Sequence, residues 1–87
     1  ERSGLVARVV PAADLIAEAL KTAEVVASLA PLATIAAKEM VNAAYEMTLQ
    51  QGVVFERRLF HGLFGSADQK EGMAAFVEKR PGNWTGK

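Results

Sequence analysis

Apolar residues recur every three or four positions through most of the chain, which is the period of an amphipathic helix. Residues 13–29 place their apolar side chains within one arc of a helix, opposite charged residues. Pro31 suits the first position of a second helix. The apolar stripe of this second helix is Leu32, Ala36, Met40, Ala43 and Met47. Because only a few residues join the two helices, we expect an antiparallel helical hairpin.

A third helix is predicted from a capping sequence. Thr48 and Gln51 have the spacing of a capping box, so the helix begins near Leu49 and continues through Phe64. Its apolar side chains form two adjacent arcs that span about half of its circumference. The first arc is Phe55, Leu59 and Leu63, and the second is Val53, Phe60 and Phe64. Two neighbouring elements of the same fold would cover both arcs, and this is favoured over a ligand-binding surface.

A fourth helix is predicted before the C-terminal tail. Ser66 and Gln69 repeat the capping spacing, and Pro81 predicts an end at Arg80. Its apolar face carries Met73, Phe76, Val77 and the stem of Arg80, with Lys79 at the border. The fold is therefore predicted to be all-α, with about four amphipathic helices. Residues 1–12, which are rich in β-branched side chains, form a short extended segment, 13–80 the helical region and 81–87 a tail.

The amino-acid composition limits the size of the core that these helices can form and the partners that they can bind. Sixteen of the 87 residues are alanine, so the 51% hydrophobic content gives only a thin core. Ten basic and ten acidic residues balance, which does not favour nucleic acid or an anionic membrane as a partner. The sequence has no cysteine and no apolar run of transmembrane length, and its first residues do not read as a signal peptide, so we expect no disulfide and no membrane insertion. The chain begins at Glu1 without methionine and is expected to belong to a longer polypeptide.

No catalytic set can be assembled from these residues. His61 is the only histidine and the acidic residues are scattered over polar faces, so neither catalytic residues nor a metal site is predicted. Phe60 stands near two arginines, and Lys79 near Arg80. Such groups could stack a flat ring and neutralise a phosphate, although the residues alone favour an ordinary solvated basic face. A helix-turn-helix nucleic-acid binder is disfavoured, because no helix has a dense basic face.

The chain resembles the C-terminal region of the crotonase (enoyl-CoA hydratase/isomerase) family over nearly its whole length. Residues 4–11 resemble the family's GLVxxVVP entry to its last helices, and residues 37–42 its AKExVN helix. Residues 56–60 read ERRLF, and residues 68–80 read DQKEGMAAFVEKR, as is typical of short-chain enoyl-CoA hydratases. The residues of this last motif favour a hydratase over the related isomerases.

The resemblance implies a function for the complete enzyme. Family hydratases add water to trans-2-enoyl-CoA in fatty-acid β-oxidation, using two glutamates from a β-spiral core that is absent from this sequence. The 87-residue chain alone is therefore expected to be inactive. Its expected partners are the upstream catalytic core, further copies in a trimer or hexamer, and the acyl-CoA substrate. The CoA thioester is a substrate, and no tightly bound cofactor is expected. A bacterial cytoplasmic or mitochondrial matrix location is implied.

Two ligand contacts are also implied by the resemblance. Phe60 matches the aromatic residue at the adenine end of CoA. Lys79 matches the lysine that reaches the nucleotide phosphates, typically in a neighbouring subunit's site. The alternative for the whole chain is an independent helical module that binds a partner protein through its basic tail. In either case the apolar faces exceed what four short helices can cover, so self-association is expected.

Overall fold

The computed structural model describes all residues from Glu1 to Lys87 and contains four α-helices and no strand, which confirms the predicted all-α class. A single 3₁₀ turn, Ala12–Asp14, precedes the first helix. The helices are α1 (Leu15–Ala27), α2 (Pro31–Ala43), α3 (Leu49–Leu63) and α4 (Ala67–Glu78). In the first segment, a turn ends at Gly4, whose φ of 78° is readily adopted by glycine.

The helix starts follow the predicted capping chemistry. At α3 the box is complete, because Thr48 Oγ1 accepts from the Gln51 amide at 3.3 Å and Gln51 Oε1 accepts from the Thr48 amide at 3.3 Å. At α4 only half of it forms, with Ser66 Oγ accepting from the Gln69 amide at 3.1 Å. The Ser66 amide donates instead to the carbonyl of Leu63, so it needs no partner from Gln69.

The relation between α1 and α2 differs from the predicted hairpin. Their axes turn through 113°, so the two helices diverge, and the helix that packs along α2 is α3. Ala30 has an extended backbone (φ −59°, ψ 120°), the conformation to which a residue before proline is restricted. This extended residue directs α2 away from α1.

The pairing of α2 with α3 uses the predicted stripes. Ala36 is buried, and Leu32, Met40, Ala43 and Met47 are half-buried. On α3 the first arc (Phe55, Leu59, Leu63) is half-buried, whereas the second arc (Val53, Phe60, Phe64) is exposed. Within these 87 residues no helix packs along the second arc, so the expectation that neighbours of the same fold cover both arcs stays a prediction for the second.

The helices do not enclose a core of their own. Only Ala36, Asp68 and Ala75 are buried, and the accessible surface is 7352 Å². A compact protein of this mass would expose about 5,000 Å². The radius of gyration, 16.2 Å, likewise exceeds the roughly 12 Å of a compact chain of this length. Much of the additional surface is apolar, and α1 exposes Leu15, Ile16, Leu20, Val25 and Val26.

None of the helices is by itself both long and apolar enough to cross a bilayer. Length and composition would suffice only if Ala12–Ala27 and Pro31–Ala43 were counted together as one span broken by their 113° bend.

Candidate functional site

A groove of about 290 Å³ lies where the start of α2, the end of α3, α4 and the tail meet. Phe60, Phe64 and Trp84 supply its aromatic surface. Its other lining residues are Ala30, Leu32, Ala33, Leu63, Ser66, Asp68, Gln69, Gly72 and Met73. The lining is predominantly apolar, which suits a flat or aliphatic group better than a charged one.

Phe60 stands on the exposed second arc of α3 and lines this groove. Its ring centroid lies 5.2 Å from that of Phe64 at an interplanar angle of 79°, and 6.0 Å from that of His61. The edge-to-face pair with Phe64 is a favourable arrangement of two aromatic rings. Phe60 nevertheless keeps 55% of its surface exposed, which leaves area on which a second flat ring could stack.

Lys79 occupies the C-terminal end of α4 in a left-handed backbone conformation (φ 53°, ψ 46°), and it is the only non-glycine residue with positive φ. The Arg80 amide donates to the carbonyl of Ala75 at 3.0 Å, and the Lys79 amide to that of Phe76 at 3.3 Å. These two bonds form a Schellman motif, in which the left-handed position is usually glycine. The helix therefore ends at Glu78, two residues before the predicted Arg80.

Arg80 forms salt bridges with two glutamates of α4. Its guanidinium donates to Glu71 at 2.5 Å and 3.2 Å, and to Glu78 at 2.5 Å. Glu71 also accepts from the Asn83 amide at 2.9 Å. The bonds from Arg80 and then Asn83 lower the pKa of Glu71 to about 2, and the bond to Glu71 raises the pKa of Arg80. Helical periodicity placed the stem of Arg80 on an apolar face and did not reveal this role.

Lys79 itself takes part in none of the ion pairs of the chain. The two glutamates of α4, Glu71 and Glu78, are bound by Arg80. Lys79 is exposed and is not among the residues that line the groove beside Phe60. The chain therefore presents an aromatic surface and an unpaired cation, and does not join them into one enclosed site.

The tail is attached to α4 through Asp68, which is only 3% exposed. Its carboxylate accepts from the Thr85 amide at 2.7 Å, from Thr85 Oγ1 at 3.0 Å and from the Gly86 amide at 2.9 Å. The Thr85 amide contributes most to holding the pKa of Asp68 below its ordinary value. No sequence pattern indicated this burial, because an acidic residue in the first turn of a helix is normally solvated.

Trp84 connects the tail to the residue that follows α1. Its Nε1 donates to the carbonyl of Ser28 at 2.8 Å, just beyond α1. The indole lies so close to α4 that a Cβ added at Gly72 would be 3.5 Å from it, and one added at Gly82 only 2.3 Å. The contact at Gly72 would be an ordinary van der Waals distance, so it is the glycine at position 82 that allows the indole to close one side of the groove.

Comparisons with known proteins agree with this architecture. The family model for enoyl-CoA hydratase/isomerase matches residues 1–87. A probable mitochondrial enoyl-CoA hydratase of Dictyostelium discoideum is 58% identical over 87 residues, all of this chain and 31% of that protein. The 2,3-dehydroadipyl-CoA hydratase of Escherichia coli strain K12 is 37% identical over 87 residues, again all of this chain and 34% of that protein.

A solved structure shares the helical arrangement as well. A crystal structure of an enoyl-CoA hydratase subunit from Geobacillus kaustophilus HTA426 superposes with a TM-score of 0.92 at 46% identity, covering 100% of this chain and 34% of that one. Because the family model matches every residue, the chain belongs to the enoyl-CoA hydratase/isomerase family. It spans about a third of the length of the curated relatives that it matches.

Proposed function

We propose that this chain works as the C-terminal helical region of an enoyl-CoA hydratase that adds water to trans-2-enoyl-CoA. In this proposal the region binds a catalytic core and further subunits, and it contacts the CoA part of the substrate. The uncovered apolar surface supports the first role, since the 7352 Å² exposed is well above the compact value of about 5,000 Å². The catalytic groups belong to the core, because no arrangement of acid and base side chains suited to hydration is found in these helices.

The proposed contact with CoA is supported by the left-handed backbone conformation of Lys79 and by its unpaired side chain. A non-glycine residue in the left-handed region is strained by about 1–3 kcal/mol, and such strain is concentrated at functional positions. The same side chain is exposed and free of any carboxylate partner. A lysine ammonium is a mobile point charge that suits phosphate oxygens. An independent interaction module would account for the apolar surface, but not for a strained and unpaired lysine.

Phe60 supplies the second contact in the proposal. Its ring is held by Phe64 and is 55% exposed, so an adenine could stack on it without a change in α3. Because Lys79 does not line the groove at Phe60, the two residues can serve different substrate molecules in an oligomer. This arrangement agrees with a lysine that reaches into the site of a neighbouring subunit.

The test is made in the full-length enzyme with crotonyl-CoA as substrate. Lys79→Ala should raise KM about tenfold and leave kcat nearly unchanged, because the lost bond involves a part of the substrate remote from the reacting atoms. Phe60→Leu should raise KM by about fivefold through loss of stacking. Lys70→Ala, which removes an exposed and unpaired lysine from the same helix, is the control. An unchanged KM with a reduced kcat for Lys79→Ala would contradict the proposal.

A further inference from the structure

Arg80 stands next to Lys79 and is bound to two carboxylates that precede both residues in the chain. Glu78 directly precedes Lys79, and Glu71 lies two helical turns earlier. The pair with Glu71 is bidentate, with Nη1 and Nη2 donating to separate carboxylate oxygens at 2.5 Å and 3.2 Å. Bidentate arginine–carboxylate pairs fix orientation as well as adding energy, so the Arg80 guanidinium is held in one place.

The same carboxylate holds the chain on the far side of the turn. Glu71 Oε1 accepts from the Asn83 amide at 2.9 Å, beyond Pro81 and Gly82. Glu71 therefore holds the chain at Arg80 and again at Asn83. Lys79 directly precedes this held stretch and has a left-handed backbone conformation that is unfavourable for a non-glycine residue.

Arg80 also determines the charge around Lys79. Without it, Glu71 and Glu78 would be two free carboxylates on the helix that precedes Lys79, and they could compete with a phosphate for its ammonium group. With both acids bound to the guanidinium, Lys79 is left without a partner. One arginine thus anchors the residue next to the left-handed position and pairs with both glutamates of α4.

From this geometry we propose that Arg80, together with Glu71, is a positioning residue for Lys79. The pair sets the direction of the lysine and keeps it available for a phosphate at the nucleotide end of the CoA substrate. This inference rests on the role proposed for Lys79 above. Arg80 touches no substrate atom itself and acts only through the residue beside it.

The experiment compares two substrates in the full-length enzyme, crotonyl-CoA and crotonyl-pantetheine, which lacks the nucleotide. Arg80→Gln should raise KM for crotonyl-CoA about three- to tenfold, leave kcat within about twofold, and not change KM for crotonyl-pantetheine. Glu71→Gln should act in the same direction. Arg57→Gln, which removes an exposed arginine without an ion pair, is the matched control.

A second comparison repeats Arg80→Gln in a Lys79→Ala background. The two changes should not add, because the arginine has no lysine left to position. Equal KM increases in both backgrounds, or on both substrates, would show a general structural role and overturn the inference. If Lys79→Ala weakens binding and Arg80→Gln does not, the inference alone fails. If Lys79→Ala leaves KM unchanged, the function proposed for Lys79 fails as well.

Discussion

Trp84 donates its indole N–H to the main-chain carbonyl of Ser28 at 2.8 Å, joining residues that lie 56 positions apart. The bond connects the tail to the end of α1, while Asp68 holds the next residues of the tail against α4. The last residues of the chain therefore form a strap across the helices. In a chain with so little buried surface, this strap is a principal long-range connection.

Trp84→Ala is expected to destabilise the fold by about 1–3 kcal/mol, because a half-buried indole and its hydrogen bond are lost together. Thermal unfolding followed by circular dichroism would measure the change. Tyr45→Ala is a matched control, since Tyr45 is an aromatic residue that is 91% exposed. A Trp84 variant as stable as the Tyr45 variant would show that the strap does not stabilise the helices.

Replacing Lys79 with glycine should separate stability from binding. Glycine adopts the left-handed conformation without strain, so Lys79→Gly should gain about 1 kcal/mol in the free energy of unfolding. Binding of a CoA ester to the full-length enzyme should weaken as it does for Lys79→Ala. Chemical denaturation and a binding titration would check the two effects. A glycine variant that is less stable than the parent protein would contradict the strain at this position.

Acidification should release the turn around Lys79. The pKa of Glu71 is lowered from 4.5 to about 2, so its contribution to stability is present in full above pH 4.5 and is lost as the pH falls toward about 2. Asp68, whose pKa is also lowered, should release the tail at a pH below its ordinary value of 3.8. Fluorescence of Trp84, the only tryptophan, would report both events.

Glu71→Gln provides the comparison for this titration. The variant lacks the carboxylate, so the fluorescence change between pH 4.5 and 2 should become smaller. A transition centred near neutral pH in the parent protein would contradict the assignment to these two acids.

The 87-residue chain is expected to self-associate in solution. Its helices leave large apolar side chains such as Leu15 and Phe76 exposed, and contiguous surface of this kind is normally covered in soluble proteins. Analytical ultracentrifugation over a range of concentrations would show the association. A folded monomer that persists at all accessible concentrations would count against it.

The chain by itself should not hydrate an enoyl-CoA. The pure 87-residue protein is mixed with crotonyl-CoA, and loss of the conjugated double bond is followed by ultraviolet absorbance. No rate above the buffer control is expected, because the catalytic glutamates are assigned to the core. Measurable turnover would overturn the division of labour proposed between the core and these helices.

The sequence alone determined the helices and the family. Capping boxes and apolar periodicity act within a few residues, so the start of α3 after Thr48 and the buried stripe around Ala36 could be predicted from local chemistry. The motif at residues 68–80 indicated the family, which the match over the whole chain confirms. The roles of Phe60 and Lys79 stay predictions.

Only the tertiary structure decided which surfaces are covered. Periodicity indicates that a helix face is apolar, but not whether another element reaches it, so the outward Phe76 and the exposed second arc of α3 could not be predicted. Burial of Asp68 depends on Thr85, 17 positions away, and the ion pair of Arg80 joins it to Glu71, nine positions earlier. Contacts between residues so far apart in the sequence depend on how the whole chain is placed in space, which no local pattern of residues encodes.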